Sequence, residues 1–236
     1  MQRKTFAECV YHVLNRGVDK RTIFLDDKDR LRFIHDLFEF NDTQSAPNLT
    51  YFFHKNTSAK YTDIVSPYID KGRKRELLVE ILAFALMPNH YHLLLKPRSD
   101  DGVSRFMMKL NIGYAKYFNE KYKRTGALFE GRYKLVPVVD QPHFLYLPYY
   151  IHLNPLDLAA PEWREKRLEK PGEAIKFLDS YRWSSHLDYT GKKNFPSITQ
   201  RGFLEPFIGN GVRYQNGIKE WLREMNLAHL SGLTLE

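Results

Sequence analysis

The sequence predicts an α+β fold in which helices pack on one face of an antiparallel sheet. Its segments follow one another in the order strand, helix, two strands, helix, strand and helix, which is typical of such folds. Only Pro88 and Asn89 separate the second strand from the third, and these turn-forming residues predict a tight reversal of the chain. The two strands that they join are expected at the centre of the sheet.

The first strand and the first helix lie near the N-terminus. The strand spans residues 9–14 and closes at a turn, residues 15–17, which leaves Arg16 where a phosphate could contact it. Asp26 and Asp27 can cap the helix that follows. Its apolar residues recur at roughly helical spacing: Leu31, Phe33, Ile34, Leu37, Phe38 and Phe40.

The remaining elements are predicted from apolar runs and their boundaries. Residues 77–87 and 90–95 read as strands, and 134–139 as another. Proline is tolerated in a first helical turn, so residues 140–142 predict a helix start. A longer helix precedes this one in the sequence, and its C-terminal end is the basic segment 119–126. Its apolar face consists of Val103, Phe106, Met107, Leu110, Ile112, Tyr114 and Phe118.

Composition limits the classes of protein that fit. Cys9 is the one cysteine, which excludes internal disulfides and a cysteine-based zinc site and fits a reducing cytoplasm. No apolar stretch approaches the roughly 20 residues needed to span a membrane, and the N-terminus lacks the apolar segment of a secretory signal. We therefore expect a cytoplasmic protein with no membrane partner.

The charge favours a polyanionic partner. Lys and Arg number 36 against 28 Asp and Glu, which gives a formal charge of +8 and a pI near 9.4. The 15 tyrosines and 16 phenylalanines supply faces on which unpaired bases could stack. Composition is compatible with nucleic-acid binding but does not establish it, because many basic proteins bind none.

Two histidines separated by one residue open the third predicted strand. Side chains alternate along a strand, so His90 and His92 share one face while Tyr91 points to the other. Two neighbouring imidazoles can clamp a metal ion. The alternative is that both are ordinary hydrogen-bonded residues at a strand edge, and the spacing alone leaves it open.

A second group with chemical potential lies in the helix that begins near residue 141. Tyr150 and Asn154 are four residues apart and therefore share a helical face, with Pro155 ending the helix. A phenol beside an amide oxygen could serve as nucleophile and metal ligand. Spacing alone does not choose this tyrosine, because most tyrosines only pack. The other candidates are Tyr149, Tyr114 and Tyr117.

These segments together resemble the HUH-type single-strand DNA transposases, and most closely their REP-associated tyrosine transposase branch. The resemblance covers roughly residues 6 to 190, and the ordered combination is more specific than any one motif. It rests on NRG at 15–17, MPNHYHLLL at 87–95, TGALFEGRYK at 125–134, YIHLNP at 150–155 and WSS at 183–185.

The resemblance implies roles for individual residues. His90 and His92 would hold a divalent cation, Mg²⁺ or Mn²⁺, with Asn154 as the third ligand, and Tyr150 would be the nucleophile. The product would be a 5′-phosphotyrosine and a free 3′-hydroxyl. The implied fold is the ferredoxin-like, palm-like arrangement of the HUH proteins. Tyr149 lies about 100° around the helix and should face elsewhere.

The implied substrate is single-stranded DNA flanked by a hairpin. Candidate phosphate contacts are basic residues that cluster with aromatic ones: Arg16, Lys121, Lys123, Arg124, Arg132 and Lys134. For each, a solvated surface cation is the alternative. The basic run at 71–75 is a weaker candidate, because it lies in a segment without a family counterpart.

The resemblance also suggests how the chain is divided. Residues 1–190 would form the catalytic domain, with 41–76 as an insertion, and 191–236 a C-terminal helical extension. Pro148 removes a helix hydrogen bond and should kink or restart the helix just before Tyr150.

Two other functions remain open at this level. A catalytically inactive hairpin DNA-binding protein would keep the fold and bind without nicking. A hydrolytic metallonuclease would use the histidines with water as nucleophile, and its cleavage would survive loss of Tyr150.

Overall fold

A computed structural model describes residues 10–44, 75–165 and 168–224 of the chain. Its four strands form one antiparallel sheet in the order β2-β3-β1-β4. The strands are β1 (Tyr11–Arg16), β2 (Val79–Met87), β3 (His90–Pro97) and β4 (Lys134–Pro137). The predicted α+β fold with an antiparallel sheet is therefore confirmed.

Seven α-helices accompany the sheet in the described residues. They are α1 (Asp27–Glu39), α2 (Gly102–Lys121), α3 (Gln141–Leu153), α4 (Pro171–Ser180), α5 (His186–Tyr189), α6 (Glu205–Ile208) and α7 (Gly211–Glu224). Two 3-10 turns, Asn154–Leu158 and Pro161–Glu165, continue the chain beyond α3. None of the helices described is long and apolar enough to cross a membrane.

Alternation along the strands sends side chains into two cores, one on each face of the sheet. Val13, Tyr91 and Leu93 join the core under α1 and α2. Val10 and Leu94 join a second core with residues of α3 and the later helices. The packing of α1 and α2 on one face was expected, and the structure adds a second helical layer on the other.

Local details refine the predicted boundaries. β1 continues through Arg16, which pairs in register with His90 of β3. Asn15 and Arg16 therefore belong to the strand and not to the predicted turn. The hairpin at Pro88 and Asn89 is confirmed. α3 runs from Gln141 to Leu153 with Pro148 inside it, and Asp140 caps it by accepting a hydrogen bond from the His143 backbone N–H.

Two predictions concern segments that are only partly described. Most of the predicted insertion at 41–76 lies outside the described residues. Beyond residue 190, Tyr214, Ile218 and Leu222 of α7 pack into the same core as α3. The division of the chain at 190 stays a prediction, but α7 contributes directly to the layer that carries Tyr150.

Candidate active site

The histidine pair lies where β3 leaves the hairpin. The His90 and His92 ring centroids are 5.0 Å apart with the rings nearly perpendicular. Tyr91 faces the opposite core, where it is fully buried and donates a hydrogen bond to Asn111 Oδ1. The alternation predicted from the sequence is confirmed, and the two imidazoles share a face.

Asn89 fixes the orientation of His90. Its Oδ1 lies 2.6 Å from His90 Nδ1, and its Nδ2 donates to the Lys20 backbone carbonyl. An amide oxygen only accepts hydrogen bonds, so His90 Nδ1 carries the proton and donates it. In the neutral ring the Nε2 atom then presents its lone pair, which is the form that binds a metal.

His12 of β1 plays the corresponding part for His92. His12 Nε2 lies 2.9 Å from His92 Nδ1, and the rings stack with centroids 5.1 Å apart. Burial, followed by the charges of His12, His90 and Arg164, holds the pKa of His92 well below its ordinary value. His92 is therefore neutral. When its Nδ1–H donates to His12, its Nε2 carries the ring's lone pair, which is the form of imidazole that can bind a cation.

Tyr150 reaches this histidine cluster from α3. Its ring centroid lies 6.1 Å from that of His12 and 6.1 Å from that of His92, edge-on to both. The neighbouring Tyr149 turns away, as expected, and stacks on Tyr214 of α7 at 5.6 Å. Of these two adjacent tyrosines, Tyr150 is the one that adjoins the histidines.

The other two candidate tyrosines lie on the opposite side of the sheet. Tyr114 donates to the backbone carbonyl of Ile23, and Tyr117 donates to Asp29. Both side chains belong to α2, in the layer under the other face. Position therefore favours Tyr150 over these alternatives.

Asn154 caps the end of α3 beside Tyr150. Its Nδ2 donates to the Tyr150 backbone carbonyl, and its Oδ1 accepts a hydrogen bond of 3.0 Å from Arg164. Arg164 also approaches the Tyr150 hydroxyl at 3.4 Å and is held by the Asp157 carboxylate at 2.6 Å. Tyr150 and Asn154 are therefore close together, as expected, and Arg164 contacts both of them.

The donor set fits a divalent cation if Asn154 completes it. Within the described residues, no group of three or more His, Cys, Asp or Glu could hold a metal ion. The two imidazoles on one face, one with its tautomer fixed by Asn89, are suitable ligands. An amide oxygen has two lone pairs, so the hydrogen bond from Arg164 leaves one for a cation. A site with two nitrogen ligands, one oxygen ligand and no thiolate suits Mn²⁺ better than a site built from cysteines.

A basic cavity adjoins His90 at the same end of the sheet. Its volume is about 410 Å³, and its lining includes Arg16, Arg132 and Lys134 together with His90. Glu130 also lines it and forms a salt bridge with Arg16, whose Nε lies 3.0 Å from the carboxylate. Three of the six predicted DNA contacts therefore converge next to a predicted metal ligand.

The remaining three predicted contacts follow the end of α2. The Lys121 ammonium lies 2.9 Å from the Asp26 carboxylate and 2.6 Å from that of Asp29. Arg124 donates to the Asn119 side chain. The structure does not bring Lys121, Lys123 or Arg124 to the cavity beside His90, and their role in DNA binding stays a prediction.

Several residues of the site could not be found from the sequence. His12 lies in a predicted strand, but nothing in the sequence gives the register that pairs β1 with β3. The sequence predicts only a turn at Asn89 and does not indicate its contact with His90. Asp157 and Arg164 lie in short 3-10 turns beyond α3, where no periodic pattern indicates which side chains fold back.

Comparisons with known proteins identify the family of this chain. The profile of the family described as "Transposase IS200 like" matches residues 5–154, a segment that contains His90, His92, Tyr150 and Asn154. A solved structure of the REP-associated tyrosine transposase bound to a REP hairpin is 12% identical. That likeness covers 81% of this chain and 84% of the other, with a TM-score of 0.47. No curated protein matches. Because the family profile covers more than half of the chain, this protein belongs to the IS200-like transposase family, and its role is DNA processing.

Proposed function

We propose that the protein is a metal-dependent single-stranded DNA nickase and strand transferase that uses Tyr150 as its nucleophile. The observation that carries this proposal is the position of the Tyr150 ring, which adjoins both His92 and His12. A nucleophile beside an imidazole that can bind a cation is the arrangement that metal-assisted phosphoryl transfer requires. Family membership supports the same class of reaction.

The chemistry exchanges one ester for another. The Tyr150 oxygen attacks the phosphorus of a DNA phosphodiester, and the bond to the 3′-oxygen of the preceding nucleotide breaks. The phenol loses a proton and the leaving 3′-oxygen gains one, so a 5′-phosphotyrosine and a 3′-hydroxyl result. A 3′-hydroxyl can later reverse the step and join strands without a nucleotide cofactor. A cation bound by His90, His92 and Asn154 would reduce the repulsion between the nucleophile and the anionic phosphate oxygens.

The cavity beside His90 is the proposed path of the DNA strand. Arg16, Arg132 and Lys134 line it and can contact successive phosphates next to the reacting one. Tyr133 lies between the last two in sequence and lines a neighbouring cavity that shares Arg132, whose guanidinium carbon is 5.8 Å from the Tyr133 ring centroid. Stacking of an unpaired base on that ring would favour single-stranded DNA.

Covalent attachment on a denaturing gel tests this function. Labelled hairpin-flanked single-stranded DNA is incubated with the protein and Mn²⁺, and the expected result is a protein–DNA adduct. Tyr150→Phe should abolish the adduct, whereas Tyr149→Phe should retain it because Tyr149 faces α7. Nicking that survives Tyr150→Phe would indicate a hydrolytic metallonuclease. Binding without any nicking would indicate an inactive hairpin-binding protein.

A further inference from the structure

Arg164 donates a hydrogen bond to the Tyr150 hydroxyl. Its Nη1 lies 3.4 Å from that oxygen, and its guanidinium carbon lies 5.7 Å from the centre of the Tyr150 ring. The same guanidinium donates to Asn154 Oδ1 at 3.0 Å. It therefore bridges the proposed nucleophile and the proposed third cation ligand. The residues matched by the family profile end at 154, so family membership assigns nothing to this residue.

Arg164 is firmly held in that position. Asp157 accepts from its Nε at 2.8 Å and from its Nη2 at 2.6 Å, and the adjacent Trp163 ring lies 4.9 Å from its guanidinium carbon. Burial acts against the charge, but hydrogen bonds to Asp157 and Tyr150 outweigh it and raise the pKa of Arg164 above its ordinary value. The side chain is therefore a permanent, oriented cation.

The exposure of Tyr150 and Arg164 bears on whether the guanidinium can contact a bound phosphate. Tyr150 is only 3% exposed, whereas the Arg164 side chain over its hydroxyl retains 24% exposure. A phosphate in contact with the Tyr150 oxygen would also lie close to the guanidinium, because Arg164 Nη1 is 3.4 Å from that oxygen. During attack the nonbridging oxygens lie one bond length from the phosphorus, so a donor beside the nucleophile can contact one of them.

We propose that Arg164 is a catalytic residue that binds a nonbridging oxygen of the scissile phosphate while Tyr150 attacks, and that Asp157 is its positioning residue. This inference rests on the proposed function. In the step itself, the Tyr150 hydroxyl loses its proton and its oxygen forms a bond to phosphorus, the bond to the 3′-oxygen breaks, and the leaving oxygen takes up a proton. Arg164 neither gains nor loses a proton, and it supplies a charge and an N–H donor from Nη1, the atom that lies beside the Tyr150 hydroxyl.

The rate of covalent attachment under single-turnover conditions tests the role directly. Arg164→Ala should slow adduct formation by about 100- to 1,000-fold, the range found when one transition-state donor is removed. Arg164→Lys should lose less, because a charge remains without the planar pair of donors. Asp157→Asn should lose about 10-fold, because the arginine stays but its orientation relaxes.

A substrate change separates phosphate binding from a structural effect. When a methylphosphonate replaces the scissile phosphodiester, the charged oxygen that Arg164 is proposed to bind is absent. The penalty of Arg164→Ala should then shrink to less than about 10-fold. A purely structural role would give the same penalty on both substrates and would overturn the inference.

A binding measurement gives a readout that does not depend on turnover. In a Tyr150→Phe background with EDTA, Arg164→Ala should weaken binding of a single-stranded oligonucleotide. It should also reduce the salt dependence of the affinity by about 0.7 in the log–log slope, as expected when the protein neutralises one phosphate fewer. An unchanged slope would contradict phosphate binding by Arg164.

The outcomes distinguish the inference from the function on which it rests. If the unaltered protein forms no adduct, the proposed function and this inference both fail. If it forms an adduct that Tyr150→Phe abolishes, but Arg164→Ala reacts as fast or faster, the function stands and only the role of Arg164 is wrong. If Arg164→Ala reacts faster and binds Mn²⁺ more tightly, then Arg164 competes with the cation for Asn154 Oδ1.

Discussion

The two faces of the sheet differ in what they bury. The face under α1 and α2 receives Val13, Tyr91 and Leu93 and forms an apolar, aromatic core. The face under α3 receives His12 and His92 from the same two strands, beside Tyr150. Because alternate residues point to opposite faces, two short strands can supply packing on one side and chemistry on the other. Stability and activity should therefore respond separately to substitutions at adjacent positions.

Among substitutions that compare the two faces of the sheet, His92→Ala should have the largest effect, because it removes a proposed cation ligand. Covalent attachment to DNA should slow by more than about 100-fold, because partners that merely orient a metal ligand are already worth about 10- to 100-fold. Single-turnover gels at saturating protein measure the rate, and Mn²⁺ titration by electron paramagnetic resonance measures the affinity.

Leu93→Ala is the matched control on the next position of β3. It should lower the free energy of unfolding by about 2–5 kcal/mol, because it opens a cavity in the fully packed core under α1 and α2. The folded fraction should react at close to the unaltered rate. An equal loss of rate per folded molecule in both variants would contradict the division between the faces.

The next effect concerns the hydrogen bond between His12 and His92. His12→Leu preserves bulk but cannot accept from His92 Nδ1–H, so Mn²⁺ affinity should fall by about 10- to 100-fold. His12→Gln supplies an acceptor oxygen at a similar reach and should recover most of that loss. Nitrogen-15 NMR of the metal-free protein should find His92 protonated at Nδ1. Equal affinities for the Leu and Gln variants would show that only packing matters.

Acid should destabilise the folded protein through His12, which is buried on the face of the sheet under α3. Burial, followed by the charge of His143, lowers the pKa of His12 to about 3. Between that value and the unfolded value near 6.5, the unfolded chain binds more protons than the folded one. The free energy of unfolding should therefore fall as the pH drops below 6.5, by up to about 1.4 kcal/mol per pH unit from this residue.

The measurement is denaturant unfolding in EDTA from pH 7 to pH 5. His12→Gln has no titrating group at this position and should show a shallower dependence than the unaltered protein. A dependence of the same slope would assign the acid sensitivity to other groups.

The smallest effect is expected from the cations of the cavity beside His90. Arg132→Gln or Lys134→Gln should weaken single-stranded DNA binding by a few fold, and each should lower the salt-dependence slope by about 0.7 if its cation neutralises one phosphate. Lys121→Gln should change less, because Asp26 and Asp29 already neutralise that ammonium. A larger loss from Lys121→Gln would place the DNA path along α2 instead.

The sequence anticipated those parts of the site that lie within one regular element. The shared face of His90 and His92 follows from the period of a strand, and the proximity of Tyr150 and Asn154 follows from the period of a helix. Contacts between elements could not be derived in this way. His12 meets His92 only because β1 pairs with β3 in one register, and Arg164 returns to Tyr150 through two 3-10 turns without a periodic pattern. The resemblance to a known family, and not spacing, selected Tyr150 among the tyrosines.

The most direct test of the central claim is to identify the residue that carries DNA after reaction. The adduct formed with Mn²⁺ is digested with protease and nuclease, and the modified peptide is sequenced by mass spectrometry. We expect a nucleotide attached through its 5′-phosphate to Tyr150, with none on Tyr146 or Tyr149. Attachment to another tyrosine, or cleavage without any attached nucleotide, would contradict it.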